Sequence, residues 1–182
     1  MTEIPKLEPL GYEAVLKMLA AHARARATDG AEGEEADLSY NAVTGFDFSG
    51  VDLAGVHLQG AVLEGCRFRS AILHDTDFSD AHVPGTDFSG ADLVRAAMSD
   101  SLFRNCCFDG CNLGGIRFYD ADLAGASIRN ADLTGADISG CDLTGAIFDG
   151  ARVDWACIEN NRSTGSSWVG VQGKLRLGEL PQ

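Results

Sequence analysis

From Ala36 to Asn160 the sequence divides into groups of five without a single insertion: ADLSY NAVTG FDFSG VDLAG, and so on to ARVDW ACIEN. The frame holds for 25 groups, and the third residue of every one is Leu, Phe, Val, Ile or Met. The first residue is mostly small, and the fifth is mostly Gly, Asp or Asn. A period of five matches neither an α-helix at 3.6 nor a flat strand at 2. It matches a chain that turns a corner every five residues, with the third and first residues inward. Gly, Asn and Asp suit the corner because they tolerate positive φ.

Four corners close a square coil of 20 residues, and successive coils stack at about 4.8 Å, the spacing between paired strands. Such a coil predicts that inward residues 20 apart share a column. One column reads Phe48, Phe68, Phe88, Phe108, Ile128, Phe148, and the next reads Leu53, Leu73, Leu93, Leu113, Leu133, Val153. A Phe-rich wall beside a Leu-rich wall repeats one packing solution along a rod. The frame predicts an all-β solenoid of about six coils, on the order of 30 Å tall.

The groups ADLSY, ADLVR, ADLAG and ADLTG fit the pattern A(D/N)LXX, and the chain resembles the pentapeptide-repeat family over residues 36–160. The resemblance implies a right-handed quadrilateral β-helix. The left-handed β-helix of the hexapeptide acyltransferases is the nearest other fold, and its period is six.

Both ends of a solenoid need covering. Residues 1–35 read as a capping segment: an amphipathic helix over 10–26, with Tyr12, Val15, Leu16, Leu19 and Ala23 at helical spacing, then an acidic linker, Thr28–Glu35. The helix could instead bind a partner. Residues 161–182 read as a degenerate last coil and a tail. Trp168 falls in the Phe column and is expected to seal that end, and the alternation at Lys174–Leu177 is expected to add a strand or to serve dimerisation. The N-terminal stretch has no long apolar run, which argues against a signal peptide or membrane span, and a cytoplasmic location is the expectation.

Six cysteines are present. In the five-residue frame Cys66, Cys106, Cys111 and Cys141 are inward and act as compact apolar filler, whereas Cys107 and Cys157 point outward. Cys66 and Cys106 share a column two coils apart, too far to bridge, so no disulfide is expected. His57, His74 and His82 fall on three different faces, and the chain has no HExxH, CxxC or phosphate-binding glycine loop. No catalytic residue, cofactor or metal site is expected.

Charge is where function is legible. There are 27 Asp and Glu against 14 Lys and Arg, net −13, which excludes direct nucleic-acid binding through a basic surface. On the Phe wall, Asp47–Arg67–Asp87 and Asp109–Arg129–Asp149 are expected to form ion-pair ladders. The face that begins at residues 36–40 carries seven acids against Arg117 alone, half the net charge of the rod. It supplies the candidate partner-binding residues Asp77, Asp80, Asp100, Asp120 and Asp137, of which Asp80, Asp100 and Asp120 stack in consecutive coils. The plainer reading of these three is corner residues that happen to align. Among outward apolar residues, Ile147 and Trp155 form the candidate apolar interface, with Trp155 either an interface anchor or tucked under the tail.

Two functions are compatible with this pattern. One is a non-catalytic, rigid, acidic protein-binding scaffold, a monomer or a dimer through an end of the rod, whose partner has a basic groove. The other is a DNA mimic: the resemblance extends at fold level to the quinolone-resistance members, which implies binding to DNA gyrase and its protection from topoisomerase poisons. The chain departs from those members in having few C-x-F repeats, CRFRS and CCFDG among them, and no loop interrupting the frame.

Overall fold

A computed structural model describes residues 7–178 and Leu180; positions 1–6, 179, 181 and 182, parts of the two expected end segments, lie outside the described residues. The corner every five residues is explicit in the backbone. Every fifth residue from Tyr40 to Gly170 has positive φ, including the non-glycine corners Ser70, Asp80, Arg95, Asn105 and Trp155. Most corners are closed by a backbone hydrogen bond between residues three apart, such as Ala71 N–H to Phe68 C=O at 3.1 Å. A positive φ at the third residue of such a turn is the type II geometry.

Between corners the chain pairs in parallel with the residue 20 positions on, from Asp37 with His57 to Arg152 with Gln172. The corners limit each pairing to one or a few residues. Among the described residues only β1 (Asp137–Ser139), β2 (Cys157–Glu159) and β3 (Leu177–Gly178) reach strand length, and they pair in that order with Asp137 opposite Cys157 and Cys157 opposite Leu177. The third residue of each group donates to the next coil (Phe68 N–H to Asp87 C=O, 2.8 Å) and the second donates back (Arg67 N–H to Phe46 C=O, 3.1 Å). This regular ladder satisfies the backbone of a chain with almost no conventional secondary structure.

The Phe and Leu columns are both buried, and so are the inward residues of the other two walls, from Leu38 to Ile158 and from Val43 to Leu143. The rings of Phe48, Phe68, Phe88 and Phe108 lie within 8° of parallel, with centroids 4.8, 5.0 and 4.9 Å apart. Phe78 and Phe103, from the other walls, meet this stack edge-on at about 6 Å. The small inward position does more than fill space. Cys66, Cys106, Cys111 and Cys141 each donate a thiol hydrogen bond to the carbonyl 23 residues earlier, as Cys106 does to Val83 at 2.8 Å, and Thr76 does the same to Leu53 at 3.1 Å.

The helix α1 spans Tyr12–Ala27, and the face it buries is rotated from the expected stripe. Val15, His22 and Ala25 are buried, whereas Tyr12, Leu16 and Ala23 are exposed. The linker is the cause. It folds back along the helix through hydrogen bonds at Thr28, and Gly33 approaches so closely that a Cβ there would lie 2.2 Å from the Ala21 carbonyl oxygen. The linker thus covers the Ala21–Ala25 side, and Tyr12 is left at the rim with its ring 5.0 Å from Phe46.

The ladder continues beyond Asn160, pairing Asp142 with Arg162 and Ile147 with Ser167. Trp168 stacks on Phe148 at 3.9 Å and 5°. The inward positions beside it are Ser163 and Gly173, which leaves room for the indole. The tail adds the short strand β3 to the sheet, overlapping the Lys174–Leu177 alternation at Leu177 alone.

Candidate protein-binding surface

The aspartates of the rod fall into three structural kinds; those at the fourth position, Asp109, Asp149 and Asp154, accept a backbone N–H from the next coil. At the second position of a group, the carboxylate accepts the backbone N–H two residues on: Asp77 from Ser79 at 2.9 Å, Asp87 from Ser89 at 2.9 Å, Asp132 from Thr134 at 2.9 Å. This is the local aspartate turn that competes with regular structure elsewhere and builds the corner here. Ser49, bonded to Asp47 in the same way, holds that carboxyl below the usual range. Asp77 belongs to this kind; Asp137 holds the same second position but is bonded by side-chain hydroxyls, and both are half-buried. Asp137 accepts from the Ser139 hydroxyl at 2.6 Å and the Tyr119 hydroxyl at 2.9 Å, and Arg176 of the tail lies 3.6 Å from it. Arg117 is therefore not the sole cation on this face, because the tail returns Arg176 to its lower end.

At the fifth position the carboxylate is left to a neighbouring cation or to solvent: Asp75 takes Arg95, and the other three stay open. Asp80, Asp100 and Asp120 are exposed corner residues with φ of 60, 57 and 52°, and among the described residues none makes a side-chain hydrogen bond or ion pair. Corner side chains lean over the following coil. A Cβ on Gly140 would meet Asp120 Oδ1 at 2.2 Å, and one on Gly60 would meet the Tyr40 ring at 2.5 Å. The corner column thus runs Tyr40, Gly60, Asp80, Asp100, Asp120, Gly140, Asn160, with an aromatic ring at one end and three stacked carboxylates at its centre. Of the five candidate acids, the structure aligns these three and commits the other two to hydrogen bonds.

The expected ladders on the Phe wall do not form along columns. Arg67 has no ion pair among the described residues, and Arg129 gives its guanidinium to Ser127 and its backbone N–H to Asp109. Two pairs run diagonally, from the fourth position of one group to the second position 18 residues on: Arg69 with Asp87 at 2.5 Å and Arg104 with Asp122 at 2.5 Å. The second-position aspartate uses one oxygen for its own turn, so only the other is open to a cation, and the fourth-position arginine reaches it. Pairs along a column form elsewhere, Arg162 with Asp142 at 3.1 Å and Arg95 with Asp75, the latter bidentate at 2.8 and 2.6 Å.

Trp155 is 70% exposed and sits at a corner with φ of 62°. It is not tucked under the tail; its N–H donates to Lys174 C=O at 2.7 Å while the indole faces solvent. Ile147 is half-buried between Ser127 and Ser167 on the Phe wall. The Leu wall separates the two, so they do not form one patch. Trp155 instead borders the acidic face, at the corner opposite the aspartate column. Exposed Tyr40 and Tyr119 on that face were not picked out by sequence reasoning, although aromatics at corner and pre-corner positions signal them.

The thiols need one correction. Cys157, expected outward, is buried, because β3 pairs over it. Cys107 alone is half-exposed, 3.2 Å from the Ser89 hydroxyl. Burial pushes the Cys106, Cys111 and Cys141 thiols up to about 12 and Cys66 up to about 11.

Comparison with known families agrees with this geometry. A family model described as a pentapeptide repeat region matches residues 62–138, and one for pentapeptide repeats in eight copies matches 34–69 and 129–160. The chain belongs to the pentapeptide-repeat family. Similar solved structures include QnrB1, a plasmid-mediated fluoroquinolone resistance protein (19% identity, 78% of each chain, TM-score 0.47). Others are Rfr23 from the cyanobacterium Cyanothece 51142 (21% identity, 70% of this chain and 90% of that one, TM-score 0.35) and HetL from Nostoc (16% identity, 90% and 94%, TM-score 0.35). HetL is described as involved in heterocyst differentiation regulation. No curated protein matches the sequence. Among the described residues no helix is long and apolar enough to cross a membrane.

Proposed function

We propose that this pentapeptide-repeat protein is a non-catalytic, rigid, acidic scaffold that binds a protein with a basic groove. The observation that carries the reading is the unpaired column Asp80–Asp100–Asp120. Like charges at the coil spacing repel by about 1 kcal/mol per adjacent pair even at water's dielectric constant. The rest of the rod commits its second-position acids to turns and diagonal arginines, whereas this column is left open to solvent. A basic partner relieves the repulsion, which makes the column a source of affinity and of association rate. In this reading α1 caps one end of about six coils and Trp168 the other, so that the sides, not the ends, meet the partner. The test is a binding titration with a basic protein probe, histone H1, at two salt concentrations. The expected result is tight, steeply salt-dependent binding to the acidic face.

A second reading is the DNA mimic, in which the same column stands in for a stretch of phosphates and the partner is DNA gyrase. The straight alignment of the three carboxylates along the rod axis favours it. A gyrase supercoiling assay with and without a fluoroquinolone tests it: protection of supercoiling in the presence of drug supports this reading, and no effect at excess protein rejects it.

A further inference from the structure

The buried histidine of α1 is used by nothing described so far. His22 is 1% exposed, at the junction of α1, the linker and the first coil. Its Nδ1 accepts the Ala36 backbone N–H at 3.3 Å, which is the point where the linker enters the rod. The proton therefore sits on Nε2, which is buried and has no partner among the described residues. We propose that His22 is a pH-sensitive latch, holding α1 on the N-terminal end of the rod when neutral and releasing it when protonated.

Two physical facts carry this. Protonation places a hydrogen on Nδ1, where it confronts the Ala36 N–H, so that two donors face each other and the only hydrogen bond of the ring is lost. It also places a charge in a site closed to water. The charged groups facing the ring are Asp52 from the first coil, Glu35 from the linker and Arg26 one turn along α1. Arg26 is drawn to Asp52 at 3.4 Å and offsets that carboxylate. Burial outweighs the two carboxylates, and the imidazole is held below its ordinary value.

The sign follows. The attached state has the lower pKa, so attachment is at full strength above the released value of about 6.5 and weakens as pH falls from there to the attached-state value. Within that window the balance shifts by up to about tenfold per pH unit. Release uncovers the seat of Val15, which lies in the same apolar cluster as Phe46 and Phe48, and gives the rod an exposed apolar end only in mild acid.

Hydrogen exchange of the full chain between pH 7.5 and 5, corrected for the intrinsic pH dependence of exchange, tests the latch. Protection of α1 amides is expected to fall by up to about tenfold per unit below pH 6.5, while the amides of the Phe88 and Leu93 coils are unchanged. His22→Gln keeps an acceptor for Ala36 N–H but does not titrate, and is expected to hold α1 equally at both pH values. Protection that is independent of pH in the wild type, the same fall in His22→Gln, or parallel loss in the rod overturns the proposal. If His22→Gln releases α1 even at pH 7.5, the wild-type imidazole titration by NMR decides. A midpoint below 6.5 shared with the α1 resonances supports the latch, and one at or above 6.5 overturns it.

Discussion

Phe88 offers the sharpest test of the packed interior. Its ring is fully buried and touches four others, stacked on Phe68 and Phe108 at 5.0 and 4.9 Å and edge-on to Phe78 and Phe103 at 6.0 and 5.9 Å. Truncation to alanine removes the transfer free energy of the ring and leaves a cavity that stacked coils cannot close, because each is pinned by the ladder above and below. The expected loss is about 3–5 kcal/mol, toward the upper end because aromatic contacts are lost as well. The neighbouring Asp87→Ala loses hydrogen bonds to Ser89 and Arg69 on a partly exposed surface, and is expected to cost only about 1 kcal/mol. Urea unfolding of both variants followed by circular dichroism gives the comparison. A cost below 1 kcal/mol for Phe88→Ala, or a larger cost for Asp87→Ala, would refute the inward frame.

Native thiol titration should show one fast cysteine, Cys107, and five slow ones, with no intramolecular disulfide; rapid modification of Cys157 would mean that β3 does not cover it. Trp155→Gly relieves a bulky side chain from a left-handed corner, where the strain is about 1 kcal/mol, and should raise the melting temperature; a drop would show that the exposed indole packs on the tail. The carboxyls of Asp47 and Asp75, held below the ordinary value of 3.8 by Ser49 and by Arg95, stabilise the fold above that value, and this contribution is lost as pH falls through their lowered values. The urea midpoint should therefore decline below pH 4, and a midpoint that rises on acidification would contradict the turn bond of Asp47 and the ion pair of Asp75.

The repeat, the inward columns and the place of Trp168 on the Phe column were legible in the sequence because one five-residue rule governs every corner, and a side chain's direction follows from its place in the group. What the rule does not encode is how neighbouring side chains share partners. Asp77 and Asp80 look equivalent by charge and face, yet one is bound to its own turn and the other is free; the difference lies in second against fifth position, that is, in a backbone N–H within reach or not. The diagonal reach of Arg69 and Arg104 was hidden for the same reason. The orientation of α1 was not readable because its apolar stripe is short and the linker that selects the buried face docks through Gly33, a residue without a side chain to pattern. Cys157 reads as outward by frame, and only the pairing of Leu177 covers it.

The central claim is that the corner column Asp80–Asp100–Asp120 carries partner binding. Replacing all three by Asn keeps residues that accept positive φ and removes three charges. The control replaces three exposed acids elsewhere, Asp29→Asn, Glu34→Gln and Glu64→Gln, for the same change in net charge. Both proteins are melted and then titrated with the basic probe at two salt concentrations. The account predicts that the column variant folds normally, melts at or slightly above the wild type, and loses both affinity and salt dependence, while the control retains them. Equal losses in the two variants would reduce the column to general charge, and unchanged binding by the column variant would contradict the claim outright.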